Sequence, residues 1–186
     1  MPGPTIFDFL KRQPVLTGYK VRLRPRRLED AVAEYRWRTD EELSRLDASE
    51  PLELTYDEFL QRYSVELEYP GLTYTLAIDT LDGTHIGSCS LFNFDLAGNS
   101  AETGLMIGEK PYWGLGYGKD ALDTFILDIF QTSGLQRVVL RTLDWNTRAR
   151  ACFEKCGFVP GGEMVRGEHR FIIMRMERAV VPGKGQ

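Results

Sequence analysis

An α+β fold built around one mixed β-sheet is what this sequence predicts, and three observations predict it. The length of 186 residues supports a single domain with a sizeable core and is short for two independent domains of usual size. The apolar periodicity runs strand, helix, helix, strand, strand, strand, helix, strand, helix, strand, strand, which gives seven strands. The three consecutive strands are separated only by short turns, as in an antiparallel meander, whereas helices separate the later ones and require crossovers.

The elements follow in order. Residues 1–19 read as a loosely attached arm. In 20–25, Val21 and Leu23 alternate with Arg22 and Arg24, the pattern of a half-buried strand. Leu28, Ala31, Val32 and Tyr35 then recur at helical spacing until Ser49-Glu50-Pro51 breaks the pattern. Thr55 with Glu58 three residues on forms a capping box before Phe59, Leu60, Tyr63 and Leu67. Strands are expected over 73–80, 85–95 and 100–107, joined at Leu81-Asp82-Gly83-Thr84 and Ala97-Gly98-Asn99. Leu122, Phe125, Ile126, Ile129 and Phe130 mark a long amphipathic helix ending near Gly134. A strand at 137–142, a helix at 146–156 stopped by Gly157, and two strands around Arg166-Gly167 complete the domain at residue 178. Residues 179–186 read as a small polar tail.

Composition narrows the function. With 23 Lys and Arg against 27 Asp and Glu, the chain lacks the basic field that nucleic-acid binding needs. No run of 18 apolar residues offers a membrane span. Cys89, Cys152 and Cys156 match neither a disulfide framework nor a zinc pattern, and with only His85 and His169 no metal site is expected. A reducing, cytoplasmic setting follows. The charge is uneven: residues 29–68 hold 13 acids against 4 arginines, a local −9, so the rest carries +5. Such a segment is either the solvent face of helices or a funnel for a cationic substrate.

Tyr112-Trp113-Gly114-Leu115-Gly116-Tyr117-Gly118-Lys119 lies between a strand and a helix, so its N–H groups end at a helix N-terminus, where an anion is favoured. A P-loop is excluded by Trp113 and by Asp120 after Lys119. A dinucleotide fingerprint through Gly116, Gly118 and Ala121 does not follow its strand directly. Two readings stay open from the loop itself: a phosphate cradle, or a tight turn into a helix.

The loop with its flanks, 101–107 and 112–122, resembles the acetyl-CoA signature of the GNAT N-acetyltransferase superfamily, and within it the RimJ/RimL-type branch of ribosomal-protein N-terminal acetyltransferases. Residues 146–158, with Asn146 and the run Glu154-Lys155-Cys156-Gly157-Phe158, resemble that branch's second block. The resemblance covers about 20–178. It implies a mostly antiparallel sheet flanked by helices on both faces, with a splayed strand pair at the cofactor cleft. It implies that Leu105, Met106 and Ile107 bind the pantetheine arm of acetyl-CoA, which pairs like an added strand edge. Leu115, Gly116, Tyr117, Gly118 and Lys119 would cradle the pyrophosphate, with Trp113 and Gly114 beside them. Asn146 would bond the cofactor arm, Phe153 would border it, and Arg150 and Lys155 would meet the adenosine phosphates, unless they form a solvated helix face. A homodimer is also implied, with Ile6, Phe7, Phe9 and Leu10 of the arm covering a neighbour.

Acetyl transfer to an amine needs a neutral nucleophile, a polarised thioester and a proton for the leaving thiolate. At pH 7 a lysine amine of pKa about 10.4 costs about 4.6 kcal/mol to deprotonate, and an α-amine of about 7.8 costs about 1 kcal/mol. Glu102, which opens the strand that would hold the thioester, is the expected base. The superfamily's alternative position holds Arg141, and its usual hydroxyls are replaced by Ala149 and Phe153. The expected activity is transfer of an acetyl group to a protein N-terminus or to a small cationic amine such as a polyamine or aminoglycoside. A non-catalytic acyl-CoA-binding module is the alternative.

Overall fold

The structure, a computed structural model, describes residues 5–179. The chain opens with helix α1 (Ile6–Leu10), where Thr5 and Asp8 cap one another. Strands β1 (Leu16–Thr17) and β2 (Val21–Pro25) form a hairpin. A 3-10 turn at Leu28–Asp30 leads into helices α2 (Ala31–Arg38), α3 (Glu41–Leu46) and α4 (Tyr56–Glu68), the last closed by the Thr55–Glu58 capping box. Strands β3 (Tyr74–Thr80), β4 (His85–Asp95) and β5 (Ser100–Ile107) make the meander. Helix α5 (Tyr117–Thr132), strand β6 (Arg137–Leu143), helix α6 (Thr147–Lys155) and strands β7 (Val159–Arg166) and β8 (His169–Glu177) follow.

One eight-stranded sheet results, ordered β1-β2-β3-β4-β5-β6-β8-β7. All neighbours run antiparallel except β5 and β6, whose parallel pairing covers only Ser100–Glu102 against Arg137–Val139. Past that seam β5 stays bonded to β4 up to Ile107 and β6 to β8 up to Leu143, so their facing edges part. A break in the β4–β5 register between Phe92 and Asp95 adjoins the seam, with Asn93 at φ 50°. Such a bulge increases local twist, which helps the strands diverge.

Helices cover both faces because the strands alternate. On one face Ala121, Leu122, Phe125, Ile126 and Ile129 of α5 pack into the main core with Ile78, Ile86 and Leu91. On the other, His85 beside Ile86 meets the Trp37 ring of α2 at 5.0 Å between centroids. Trp37, Phe59 and Tyr63 are buried. Beneath α2 the Arg24 guanidinium forks to Asp30 and Asp79, at 2.6–3.0 Å, all three side chains buried.

Three expectations are corrected. The segment read as a loose arm is built into the domain: Phe9 is 0% exposed, its ring 4.6 Å from that of Tyr74, and Arg12 forks onto Asp128 at 2.7 and 2.8 Å. Phe9 is therefore not free to cover a neighbour. The sheet has eight strands instead of seven, the extra one being β1, and three helices instead of two separate β2 from β3. The tail expected over 179–186 lies, apart from Ala179, outside the described residues.

Candidate active site

The loop from 113 to 116 turns twice through left-handed backbone, at Gly114 (φ 73°) and Gly116 (φ 88°), which an L side chain would strain. Gly116 is the N-cap of α5 and has no side chain to offer, and the Tyr117, Gly118 and Lys119 N–H groups find no partner among the described residues. Those donors and the positive end of a 16-residue helix make an anion cradle. Gly118 also sits close to its neighbours: a Cβ there would lie 3.4 Å from Leu105 and 3.8 Å from the Cys152 sulfur.

A cavity of about 420 Å³ starts at this cradle. Leu105, Met106 and Ile107 form one wall, and Asn146, Phe153 and Lys155 of the second block form the other. Trp113, Gly114, Gly116, Gly118 and Lys119 close the cradle end. Trp113 is pinned, its indole N–H donating to the Ile107 carbonyl at 2.6 Å while the Arg148 guanidinium stacks 3.7 Å above its ring. Asn146 caps α6, accepting from the Ala149 N–H at 3.2 Å. Lys119 pairs with Asp123.

A second cavity of about 120 Å³ occupies the gap between β5 and β6, under Thr103, Gly104, Leu140 and Thr142. Both cavities share Leu46, Asp47, Leu105, Asn146, Ala149 and Phe153. Their junction is where two substrates could meet.

Not every expected residue arrives. Leu115 is exposed, and its carbonyl accepts from Lys20 Nζ at 3.1 Å. The Tyr117 ring turns to Tyr112 at 5.0 Å, leaving only its backbone N–H for the cradle. Arg150 faces elsewhere, donating to the Asp144 carbonyl at 3.1 Å, and Arg148 stands in the cleft in its place. Glu102 lines neither cavity. Arg141 grips both of its oxygens at 2.6 Å and Asn93 donates to one of them at 3.0 Å. The pair also raises the Arg141 pKa, mainly through the hydrogen bond to Glu102. Asp47, Leu46 and Arg148 were not singled out from sequence. Arg148 sits in the quoted second block, but only the helix's orientation separates it from Arg150.

An unpaired strand edge, a glycine cradle of free N–H groups and cations at Lys119, Arg148 and Lys155 together fit an extended ligand with a phosphate end. A family model for the acetyltransferase (GNAT) domain matches residues 20–159, and the chain belongs to that family. It is an N-acetyltransferase that draws its acetyl group from acetyl-CoA. No curated protein matches the chain. Among solved structures it is similar to the spermidine N-acetyltransferase of Vibrio cholerae, solved with CoA and spermine (19% identity, 85% of this chain and 95% of that one, TM-score 0.75). It is also similar to the ribosomal-protein-S5-alanine acetyltransferase of Vibrio fischeri (20% identity, 89% and 97%, TM-score 0.72). A third is RimL, a ribosomal L7/L12 α-N-protein acetyltransferase solved with coenzyme A (14% identity, 88% and 98%, TM-score 0.72). At these identities the likeness is one of fold.

Proposed function

We propose that the enzyme acetylates a primary amine, a protein N-terminal α-amine or a small cationic amine, by direct attack with both substrates bound. The observation that carries this reading is the junction of the two cavities. The larger one runs from the cradle along β5, and the smaller opens from its end into the strand gap. Both amine types stay in view because solved structures of similar fold include a spermidine and two ribosomal-protein acetyltransferases.

In this reading the N–H groups of Tyr117, Gly118 and Lys119 hold the pyrophosphate, with Lys119, Arg148 and Lys155 neutralising phosphate charge. The edge of Leu105 to Ile107 that β4 leaves open, its Ile107 carbonyl already taken by the Trp113 indole, aligns the pantetheine arm, and Asn146, Ala149 and Phe153 border it from α6. Acetyl-CoA supplies the activated acyl group. Glu102, expected as the base, serves the geometry instead: its fork with Arg141 ties β5 to β6 at the point where they part.

Calorimetric titration with acetyl-CoA tests the site. Micromolar binding is expected, and Gly116→Glu should abolish it in a protein of unchanged circular dichroism, because the substitution adds strain and a negative charge at the cradle. CoA release with spermidine and with an alanine-initiated peptide tests the reaction. Tight binding without turnover on either would favour the acyl-CoA-binding module.

A further inference from the structure

One carboxylate at the junction has no task in the reading above. Asp47 follows the last turn of α3, and it is the single acidic residue on the walls of either cavity among the described residues. Its carboxylate has no hydrogen-bond or ion-pair partner there either, in a segment where Asp40, Glu42, Glu58 and Glu66 are all engaged.

Its position is fixed from several sides. Lys110 bridges Asp40 at 2.9 Å and Glu42 at 2.8 Å at the start of α3, while the Arg45 guanidinium lies 5.1 Å over the Trp145 ring at the end. Leu43 and Leu46 face the larger cavity. Ala48, at φ 52°, then reverses the chain, and the Ser49 N–H closes back on the Ser44 carbonyl at 3.0 Å. The helix is thereby strapped across the strand gap with Asp47 at its inner end.

We propose that Asp47 holds the ammonium group of the acceptor and takes a proton from it. The step rests on the acetyltransferase reading. An ammonium gives one proton to Asp47, and the freed lone pair forms the C–N bond to the acyl carbon. The C–S bond breaks, sulfur keeps its electron pair, and the second proton passes from nitrogen to that sulfur, while Asp47 returns its own proton to water. The environment suits the role. Asp47 is open to the cleft, yet the protein crowded round it desolvates the carboxyl and pushes its pKa up, with Arg38 opposing. A carboxylate of raised proton affinity is the better acceptor. The charged groups around it are Arg38 at the end of α2, Arg45 on α3 itself, Arg141 of β6 in its pair with Glu102, Lys119 of α5, and Arg148 and Lys155 of α6.

The test compares wild type with Asp47→Asn and Asp47→Glu, using spermidine and an alanine-initiated peptide. On the amine that wild type acetylates, Asp47→Asn should lower kcat about 100-fold or more. Its acetyl-CoA affinity should stay within about twofold of wild type, and Asp47→Glu should recover part of the rate. Wild-type kcat/KM should fall as pH drops through the raised Asp47 pKa, and that limb should vanish in Asp47→Asn. Independently of turnover, the carboxyl carbon of Asp47 in 13C-aspartate-labelled protein should titrate above the usual carboxylate range and shift on adding the amine. Wild-type kcat in Asp47→Asn with its acidic limb intact, or a resonance that ignores the amine, overturns the proposal. Failure of wild type to bind acetyl-CoA or to turn over either amine is a different result, and it removes the reading on which the proposal stands.

Discussion

Glu34, on the buried face of α2, is 7% exposed, and its Oε1 and the His85 Nε2 both lack a hydrogen bond, 3.9 Å apart. Burial pushes the Glu34 carboxyl up, with His85 opposing. A carboxyl raised on folding binds more protons folded than unfolded, so stability declines as pH climbs from about 4.5 through the folded pKa. Glu34→Gln should therefore gain about 1 kcal/mol at pH 7, or about 2–4 °C in Tm, and lose that gain below pH about 4.5. Thermal melts at pH 4 and 7 check this. At the same scale, the residues most legible in the sequence were those whose type dictates backbone, such as Gly114 and Gly116. Side chains on one helix were harder. Arg148 and Arg150 are about 200° apart around α6, and only the packed helix shows that the first faces the cleft. That Arg141 reaches across the seam to Glu102 is a tertiary contact that β5 alone does not reveal.

At the scale of elements, long periodic segments such as α5 and the meander could be read directly, as could the capping box of α4. Short elements escaped. Helix α1 has five residues and α3 has six, too few for a period, and their importance comes from tertiary contacts. Phe9 anchors α1 with 0% exposure beside Tyr74, in a core that also holds Phe125. Phe9→Ala should cost about 3–5 kcal/mol in urea unfolding, a loss no free arm would show. Asp120 makes a further tie, accepting from the Tyr19, Lys20 and Val21 N–H groups at 2.7–3.1 Å, so the turn before β2 is bound to the first turn of α5. The acidic residue that ruled out a P-loop is thus spent on joining the N-terminal hairpin to the helix that carries the cradle.

For the whole molecule, the acidic segment is partly consumed internally. Asp30 and Glu34 are buried, and Asp40 and Glu42 are bridged to Lys110, while Asp47 opens into the cleft and Glu41, Glu50, Glu53 and Glu68 stay exposed. Of the acids that remain, Asp47 alone lines the cavity that Lys119, Arg148 and Lys155 also line. If the acceptor is the small cationic amine proposed above, kcat/KM for spermidine should fall about tenfold between about 10 mM and about 150 mM salt. A neutral amine should show little change in the same assay. The overall fold was readable because its order of periods has few topological solutions, whereas the junction was not, since it is assembled from α3, β5, β6 and α6.

The seam between β5 and β6 divides the sheet. Five strands lie on one side of it and three on the other, and only three residue pairs of parallel ladder join them. The sheet is thus two antiparallel ladders joined by a short seam, with the Glu102–Arg141 fork crossing it. A molecule lodged in the gap therefore meets both ladders at once, Thr103 to Leu105 on one side and Leu140 to Leu143 on the other.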